Sequence, residues 1–195
     1  MSDAGFQRAR SPAAKGLREA AILEAARRLG AERGVRQVTL TEIADAVGMH
    51  KSALLRYFET REEIFLRLTA EGWREWSGAL RTELGMLAEP TPAAVASLFA
   101  GTLARRGAFC DLLAQAPLNL ERNVSVEAVR AFKLAVHAEL DAIVAAVQRL
   151  LPLLGEADAV DLIASATSLS GAFWQMATPG AEIAALYRSD PRLSH

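Results

Sequence analysis

The chain has 195 residues, of which 51% are hydrophobic and 23% charged, and its formal net charge is −1. So many apolar residues suffice for a buried core, which excludes disorder as the main state of the chain. The single cysteine, Cys110, excludes an internal disulfide; we expect it to be a small buried hydrophobe in a reducing compartment.

Long runs with helical periodicity, separated by a few Gly and Pro residues, predict an all-α fold. The first predicted helix follows a polar arm and extends from about residue 12 or 14 to residue 33. Residues 1–62 contain 11 Lys and Arg against 8 Asp and Glu, whereas residues 63–195 contain 11 against 15, so positive charge is concentrated at this end. The arm is either a segment that touches DNA or a solvated terminus; its basic residues are Arg8, Arg10, Lys15 and Arg18.

Two short amphipathic helices are predicted next, in the segment TLTEIADAVGMHKSALLRYF at residues 39–58. Thr39 and Glu42 have the spacing of a capping box, which predicts that a helix starts near Leu40. Gly48 is expected to end that helix, because glycine adopts a positive φ without steric cost and lets the chain turn sharply.

The second short helix is predicted from about residue 50 to residue 57. Its apolar residues, Leu54 and Phe58, are expected to face the interior. A short helix after a glycine turn is typical of a helix-turn-helix, in which the second helix lies in the major groove of DNA. The residues predicted on its outward face suit such a groove: His50, Lys51, Ser52, Ala53 and Arg56.

The whole segment resembles the DNA-binding domain of tetracycline-repressor (TetR) type regulators. The sequence departs from the family pattern in three places: Ser52 and Ala53 replace a frequent Gly and Thr, Leu55 replaces a frequent Tyr, and Arg61 replaces a frequent Lys. The residues that carry the resemblance are Thr39, Ile43, Ala44, Gly48, Met49, Lys51, Leu54, Tyr57, Phe58, Thr60, Glu62, Glu63 and Ile64.

The resemblance implies which side chains touch DNA. By position, base edges would be faced by Thr41, Lys51, Ser52 and Ala53, of which Ala53 offers only a methyl group, suited to thymine. Phosphates would be held by Tyr57 and Arg61, whereas Arg56 is either a contact or a solvated residue beside the backbone. The expected DNA-binding set is therefore Thr39, Thr41, His50, Lys51, Ser52, Ala53, Arg56, Tyr57 and Arg61.

Thr60 and Glu63 repeat the capping-box spacing and predict the start of a long helix that connects the DNA-reading part to everything after it. Thr91, as a cap, and Pro92, at the first helical position, predict another helix to about residue 106. A shorter helix is predicted from about residue 108 to Gln115. Residues 1–59 would thus form the DNA-binding domain, and residues 60–195 a helical effector-binding and dimerisation domain.

The last third of the chain predicts two long helices, broken at Pro152 and Gly155, with Asn123 or Ser125 capping the first. Small residues in the second helix would let helices approach closely, so that two copies of the chain could form a four-helix bundle, as in the family. Packing within one chain is the alternative. The residues expected at the dimer interface are Val147, Leu150, Ile163, Thr167, Ser170, Gly171 and Trp174. One more short helix is expected after Gly180.

The family resemblance further implies a switch, in which an effector bound in the second domain tilts the helix that starts at Thr60 and moves two DNA-binding heads apart. Several apolar residues at helical spacing either line the effector pocket or form plain core. The residues considered for the pocket are Trp73, Trp76, Phe99, Phe109, Leu113, Phe132, Val136 and His137.

The helix-turn-helix pattern predicts a sequence-specific DNA-binding transcriptional regulator. The family resemblance implies that it is a ligand-responsive repressor that binds a palindromic operator as a dimer and is released by a small-molecule effector. A helical protein-interaction module and an all-helical enzyme are the alternatives. The enzyme is disfavoured because no metal-ligand spacing, phosphate loop or nucleophile elbow is present. We expect no cofactor and no metal. No apolar run approaches the roughly 20 residues that span a bilayer, so we expect a cytoplasmic protein without a membrane partner. The partners expected are operator DNA, a small-molecule effector and a second copy of the chain.

Overall fold

The computed structural model of the chain describes residues 12–193, apart from the side chains of Pro12 and Pro191. The predicted contacts of Arg8 and Arg10 therefore lie outside the described residues. Within residues 12–193 the chain contains helices and no strand, which confirms the all-α prediction. The α-helices are α1 (Pro12–Arg33), α2 (Leu40–Ala46), α3 (Lys51–Leu54), α4 (Arg61–Gly85), α5 (Pro92–Ala104), α6 (Gly107–Gln115), α7 (Val126–Leu150), α8 (Glu156–Ala177) and α9 (Ala181–Ser189).

Helix α2 starts and ends as its sequence predicts. The hydroxyl of Thr39 accepts the backbone N–H of Glu42, and the Glu42 carboxylate accepts the backbone N–H of Thr39 at 2.8 Å, so both halves of the capping box form. Gly48 has a φ of 64°, and the next residue, Met49, donates its N–H to the carbonyl of Ala44 at 2.9 Å. This glycine-terminated helix end fixes the sharp turn between α2 and α3.

Helix α3 is shorter than the predicted helix at residues 50–57. The α-helix covers four residues, because after Leu54 the backbone tightens into turns in which Arg56 and Tyr57 bond to carbonyls three residues earlier. The ring nitrogen of His50 accepts the N–H of Ser52 at 3.3 Å and caps the helix start. Residues 50–57 therefore form fewer α-helical hydrogen bonds than predicted.

Helix α4 connects the two halves of the molecule. Thr60 caps it through the N–H of Glu63, but the Glu63 carboxylate accepts the N–H of Glu59, at 2.7 Å, instead of that of Thr60. The second capping box is therefore only half present, and the carboxylate binds the end of the helix-turn-helix instead of the cap residue. α4 packs against α1, α5, α6 and α7.

The later helices follow the predicted boundaries closely. Thr91 caps α5, with Pro92 in its first turn, and Ser125, not Asn123, caps α7 through the N–H of Ala128 at 3.2 Å. α6 ends at Gln115 as predicted and continues as a π-helical turn over Ala116–Leu120. None of the helices in the described range is long and apolar enough to cross a membrane.

Helices α6 and α8 approach closely because glycines lie at their contact. A Cβ placed at Gly171 would lie 3.0 Å from the backbone nitrogen of Ala114, and a Cβ at Gly107 would clash with the ring of Trp174. α6 also lies against α4, where a Cβ at Gly72 would clash with the ring of Phe109. Gly171 of α8 is thus used for packing within one chain, whereas Ala164, Ser165, Ser168 and Ala172 are exposed.

Two glycines should respond to alanine in opposite ways. Gly48→Ala should lower the free energy of unfolding by about 1–2 kcal/mol, because the left-handed conformation is strained for any residue with a Cβ. Gly78→Ala should raise it by up to about 1 kcal/mol, because a Cβ there meets nothing within 4 Å and alanine favours a helix interior. Denaturant unfolding measures both, and equal effects would contradict the role assigned to the glycine turn.

Candidate nucleic-acid interface

The outward side of the helix-turn-helix is exposed. His50, Lys51 and Ser52 at the start of α3 lie at the surface, and the His50 ring nitrogen and Ser52 hydroxyl are 2.8 Å apart. Thr41 on α2 is exposed as well. A positive charge and small polar groups on one short surface helix are what base edges and phosphates in a major groove require.

The end of this segment is anchored in the core. Leu54 and Phe58 are buried beneath α3, whereas Ala53 and Tyr57 are half-buried and Arg56 is exposed. The apolar anchors hold the exposed residues on one side of the helix. The contacts of the predicted DNA-binding residues with bases or phosphates remain predictions.

Arg61 is occupied inside the chain. Its guanidinium donates to the backbone carbonyls of Val35 and Val38 and to Glu62 at 3.0 Å, and it stacks over the Phe65 ring at 4.8 Å. Its side chain is only 18% exposed. Its assignment as a phosphate contact is untested, and in this conformation its donors bind the turn between α1 and α2.

Thr39 belongs both to the expected DNA-binding set and to the capping box of α2. Its hydroxyl donates to the Glu42 carboxylate at 2.8 Å, and Arg33 pairs with the same carboxylate at 2.8 Å. The backbone N–H of Thr39, the Arg33 side chain and the Thr39 hydroxyl together lower the pKa of Glu42 to about 2. The negative charge, and the stabilisation it provides to α2, is present at neutral pH and is lost only as the pH falls towards that value.

A carboxylate from the second half of the chain reaches the α1–α2 turn, residues 34–39. Asp111 on α6 accepts the backbone N–H of Val35 at 2.7 Å, and its other oxygen accepts the side-chain amide of Gln175 on α8 at 2.7 Å. Asp111 and Gln175 are not among the residues that the sequence patterns predict for a site. They lie 64 residues apart, and no local pattern indicates that they meet.

The residues considered for an effector pocket are largely packed together. Trp73, Trp76, Phe99 and Phe109 form a buried aromatic cluster with ring centroids 5.5–6.0 Å apart, mostly edge to face. On α7, Phe132 is buried, Val136 is half-buried and His137 is exposed; Leu113 on α6 is half-buried. Their contacts with a ligand remain a prediction.

Two apolar clefts border this aromatic cluster. The junction cleft, about 520 Å³ between α1, α4 and α6, is lined by Phe65, Leu68, Phe109 and Leu112, with Arg27, Glu71, Glu75 and Arg106 among its charged residues. The α5–α8 groove, about 540 Å³, is lined by residues that include Phe99, Leu103, Leu162, Leu169, Phe173 and Trp174. Each cleft therefore contains one aromatic residue predicted to bind a ligand.

An ion pair in the lining of the junction cleft joins Arg106, the residue before α6, to Glu75 of α4. The Arg106 guanidinium donates to both oxygens of Glu75 at 2.8 Å. These hydrogen bonds lower the pKa of Glu75 and raise that of Arg106. Both groups are charged at neutral pH.

The residues predicted at a dimer interface are mostly enclosed by their own chain. In a single chain, the buried ones are Val147, Ile163, Thr167 and Gly171, and the half-buried ones are Leu150, Ser170 and Trp174. The large apolar residues that α7 and α8 expose are different ones: Val126, Leu134, Leu169, Phe173 and Met176. The expected dimer thus remains a prediction, and its surface would include residues that the periodicity did not select.

Cysteine and metal chemistry find little support in the described residues. The Cys110 thiol is buried, donates to the Leu103 carbonyl at 3.4 Å, and has its pKa raised by burial, so it stays protonated. Between residues 12 and 193, no three His, Cys, Asp or Glu side chains are grouped to hold a metal ion.

Two family models match the chain. The model of bacterial regulatory proteins of the tetR family matches residues 22–68, and that of the tetracyclin repressor-like C-terminal domain matches residues 70–195. A comparison with curated proteins gives no match.

Solved structures share the fold. FadR of Bacillus subtilis, in complex with stearoyl-CoA, has 19% identity and a TM-score of 0.58, over 87% of this chain and 94% of that chain. FadR of Thermus thermophilus, in complex with lauroyl-CoA, has 20% identity and a TM-score of 0.53, over 80% and 90%. FadR of Bacillus halodurans, a fatty acid degradation regulator, has 16% identity and a TM-score of 0.55, over 80% and 87%.

Lys51→Ala should weaken DNA binding by about tenfold or more, the effect of losing one base or phosphate contact of roughly 1–3 kcal/mol. Its melting temperature should hardly change, because Lys51 is exposed. Fluorescence anisotropy with selected DNA measures the affinity. Lys133→Ala, which removes an exposed lysine of α7, is the matched control. Equal affinities for the two variants would contradict the assignment of Lys51.

Proposed function

Because the chain belongs to the tetracycline-repressor (TetR) family of bacterial regulatory proteins, we propose that it is a ligand-responsive repressor of transcription. It acts in the cytoplasm, binds a palindromic operator as a homodimer, and leaves the DNA when a small molecule binds. The observation that carries this proposal is the exposed start of α3, with His50, Lys51 and Ser52, set on buried anchors behind a glycine turn.

The dimer follows from how little DNA one head can read. α3 offers a few side chains, whereas a twofold dimer reads two half-sites about one turn of DNA apart and adds their contact energies. Leu134, Leu169, Phe173 and Met176 are each at least half exposed on α7 and α8. Of these, Leu169 and Phe173 lie together in the α5–α8 groove. Exposed apolar patches mark interaction surfaces, and we assign these residues to contacts with the second copy.

The junction cleft is the effector site of this proposal. It lies between α1, which carries the head, and α4 and α6, so a ligand there acts directly on the position of the helix-turn-helix. Its apolar lining suits a hydrocarbon body, and Arg106 offers a cation that an incoming anionic group can take from Glu75. The effector is therefore an amphipathic anion. Acyl-CoA thioesters, which two of the related structures contain, are the first compounds to test.

Selection of DNA from a random pool by the purified protein should yield a palindrome with half-site centres about 34–36 Å, or a multiple, apart. Affinity for it should fall steeply with salt, because phosphate contacts release counterions. Binding of no DNA at low salt would contradict the repressor and favour a helical protein-interaction module.

Phe173→Glu should convert the dimer to a monomer and weaken operator binding by at least about 100-fold, because a charge in an apolar interface is desolvated without a partner. Light scattering after size exclusion measures the mass. Leu153→Glu, which places a glutamate at a fully exposed apolar position between α7 and α8, is the matched control. A dimer that survives Phe173→Glu would show that the copies meet elsewhere.

Stearoyl-CoA or lauroyl-CoA should release the protein from its operator. Either should also change the fluorescence emission of Trp73, whose ring centroid lies 6.0 Å from that of Phe109 in the lining of the junction cleft. Ala31→Trp, at the edge of the junction cleft, should keep operator binding and weaken release by at least about tenfold, since it fills space the ligand needs. Ala157→Trp, at an exposed alanine of α8, is the control. Failure of both thioesters would reject this effector class, whereas unchanged release from Ala31→Trp would reject the site.

A further inference from the structure

A buried carboxylate joins three parts of the chain that no sequence pattern connects. Asp111 is only 6% exposed, and its two oxygens bind different elements. One accepts the backbone N–H of Val35 at 2.7 Å, and the other accepts the amide of Gln175 at 2.7 Å. A buried charge held by two donors is a specific arrangement, since an unpaired one would be costly.

The bond to Val35 replaces a missing cap. Residues 35–37 form a short 3-10 helix whose cap residue, Gly34, has a φ of 86° and no side chain to accept an N–H. The first N–H of such a turn needs an acceptor. Asp111 provides that acceptor from α6, so the α1–α2 turn is completed by a residue of the second half of the chain.

The same turn is held on its other side by α4. The Arg61 guanidinium donates to the carbonyl of Val35, which also accepts the N–H of Val38 within the turn, and to the carbonyl of Val38 at the C-terminal end of the turn. The polar relay, defined as Gln175, Asp111, Val35 and Arg61, therefore runs from α8 through α6 and the turn to the start of α4. Val38 is followed directly by Thr39, the cap of α2.

We propose that Asp111 is a positioning residue for operator binding: it fixes the α1–α2 turn, and with it the orientation of the helix-turn-helix relative to α6 and α8. This inference rests on the proposed function, because orientation matters only if the head reads DNA. Without the carboxylate, the head keeps its own core, which includes Ile43, Leu54 and Phe58, but loses a fixed attachment to the second half of the chain. Two heads held at variable angles fit two half-sites less well.

The test combines amide exchange with operator binding. In Asp111→Ala, the amide of Val35 should exchange at least about tenfold faster, because its acceptor is gone. Operator affinity should fall by about tenfold, with the slope of affinity against salt unchanged, since no phosphate contact is removed. In Asp111→Asn, whose side-chain oxygen can still accept the Val35 N–H, exchange and affinity should stay within about threefold of the wild type.

Glu83→Gln is the matched control. It weakens another polar bond, from Arg105, the residue after α5, to Glu83 on α4 at 2.6 Å, outside the relay, and should leave both measurements unchanged. If Asp111→Ala does not fold, Gln175→Ala removes one of the two donors and should show a smaller change of the same sign in both measurements.

Three outcomes would overturn the positioning role: unchanged exchange at Val35, faster exchange with unchanged affinity, or a loss of affinity that Asp111→Asn shares in full. A fall in melting temperature with wild-type affinity at 25 °C would likewise mean that Asp111 is only structural. A wild-type protein that binds no DNA would instead contradict the proposed function, so the two failures are distinguishable.

Discussion

The structure depends on helix α4, whose apolar residues are buried both near its start and near its end. Ile64, Phe65 and Leu68 near its start, and Trp76, Leu80 and Leu84 further along, are buried in one core. That core also includes Leu54 and Phe58 of the helix-turn-helix and Phe132 and Val147 of α7. One rigid helix therefore has its apolar surface divided between two sets of partners. A change of the packing at either end must be accommodated at the other, because closely packed interiors repack between discrete arrangements instead of deforming smoothly.

The parts of the fold that the sequence predicts well are those decided within one or two helical turns. Thr39 with Glu42, Gly48, and Thr91 with Pro92 each set a helix end through bonds between near neighbours, and each lies where it was expected. The exposed start of α3 was predictable for the same reason, since the spacing of Leu54 and Phe58 determines which side faces out. Even here tertiary contacts intervene. Glu63 turns to Glu59, and α3 tightens after Leu54.

The rest required the three-dimensional packing. Periodicity separates an inner from an outer side of a helix, but it does not say whether the inner side meets its own chain or another copy. Val147 and Ile163 therefore had the pattern of an interface and are buried within the chain. Aromatic spacing likewise did not distinguish a cavity from the packed rings of Trp73, Trp76, Phe99 and Phe109. Asp111 meets Gln175 only because α6 and α8 are neighbours, a fact of topology that neither residue reveals locally.

The contact at Gly171 has a mechanical consequence. With no side chain at Gly171, the backbone of α8 lies almost directly against that of α6 at Ala114, so no flexible side chain separates the two helices at this point. A displacement of α8 is therefore transmitted directly to α6 at this contact. This contact lies about one helical turn from Gln175 on α8 and from Asp111 on α6, so a displacement of the two helices there also displaces the residues that hold the α1–α2 turn.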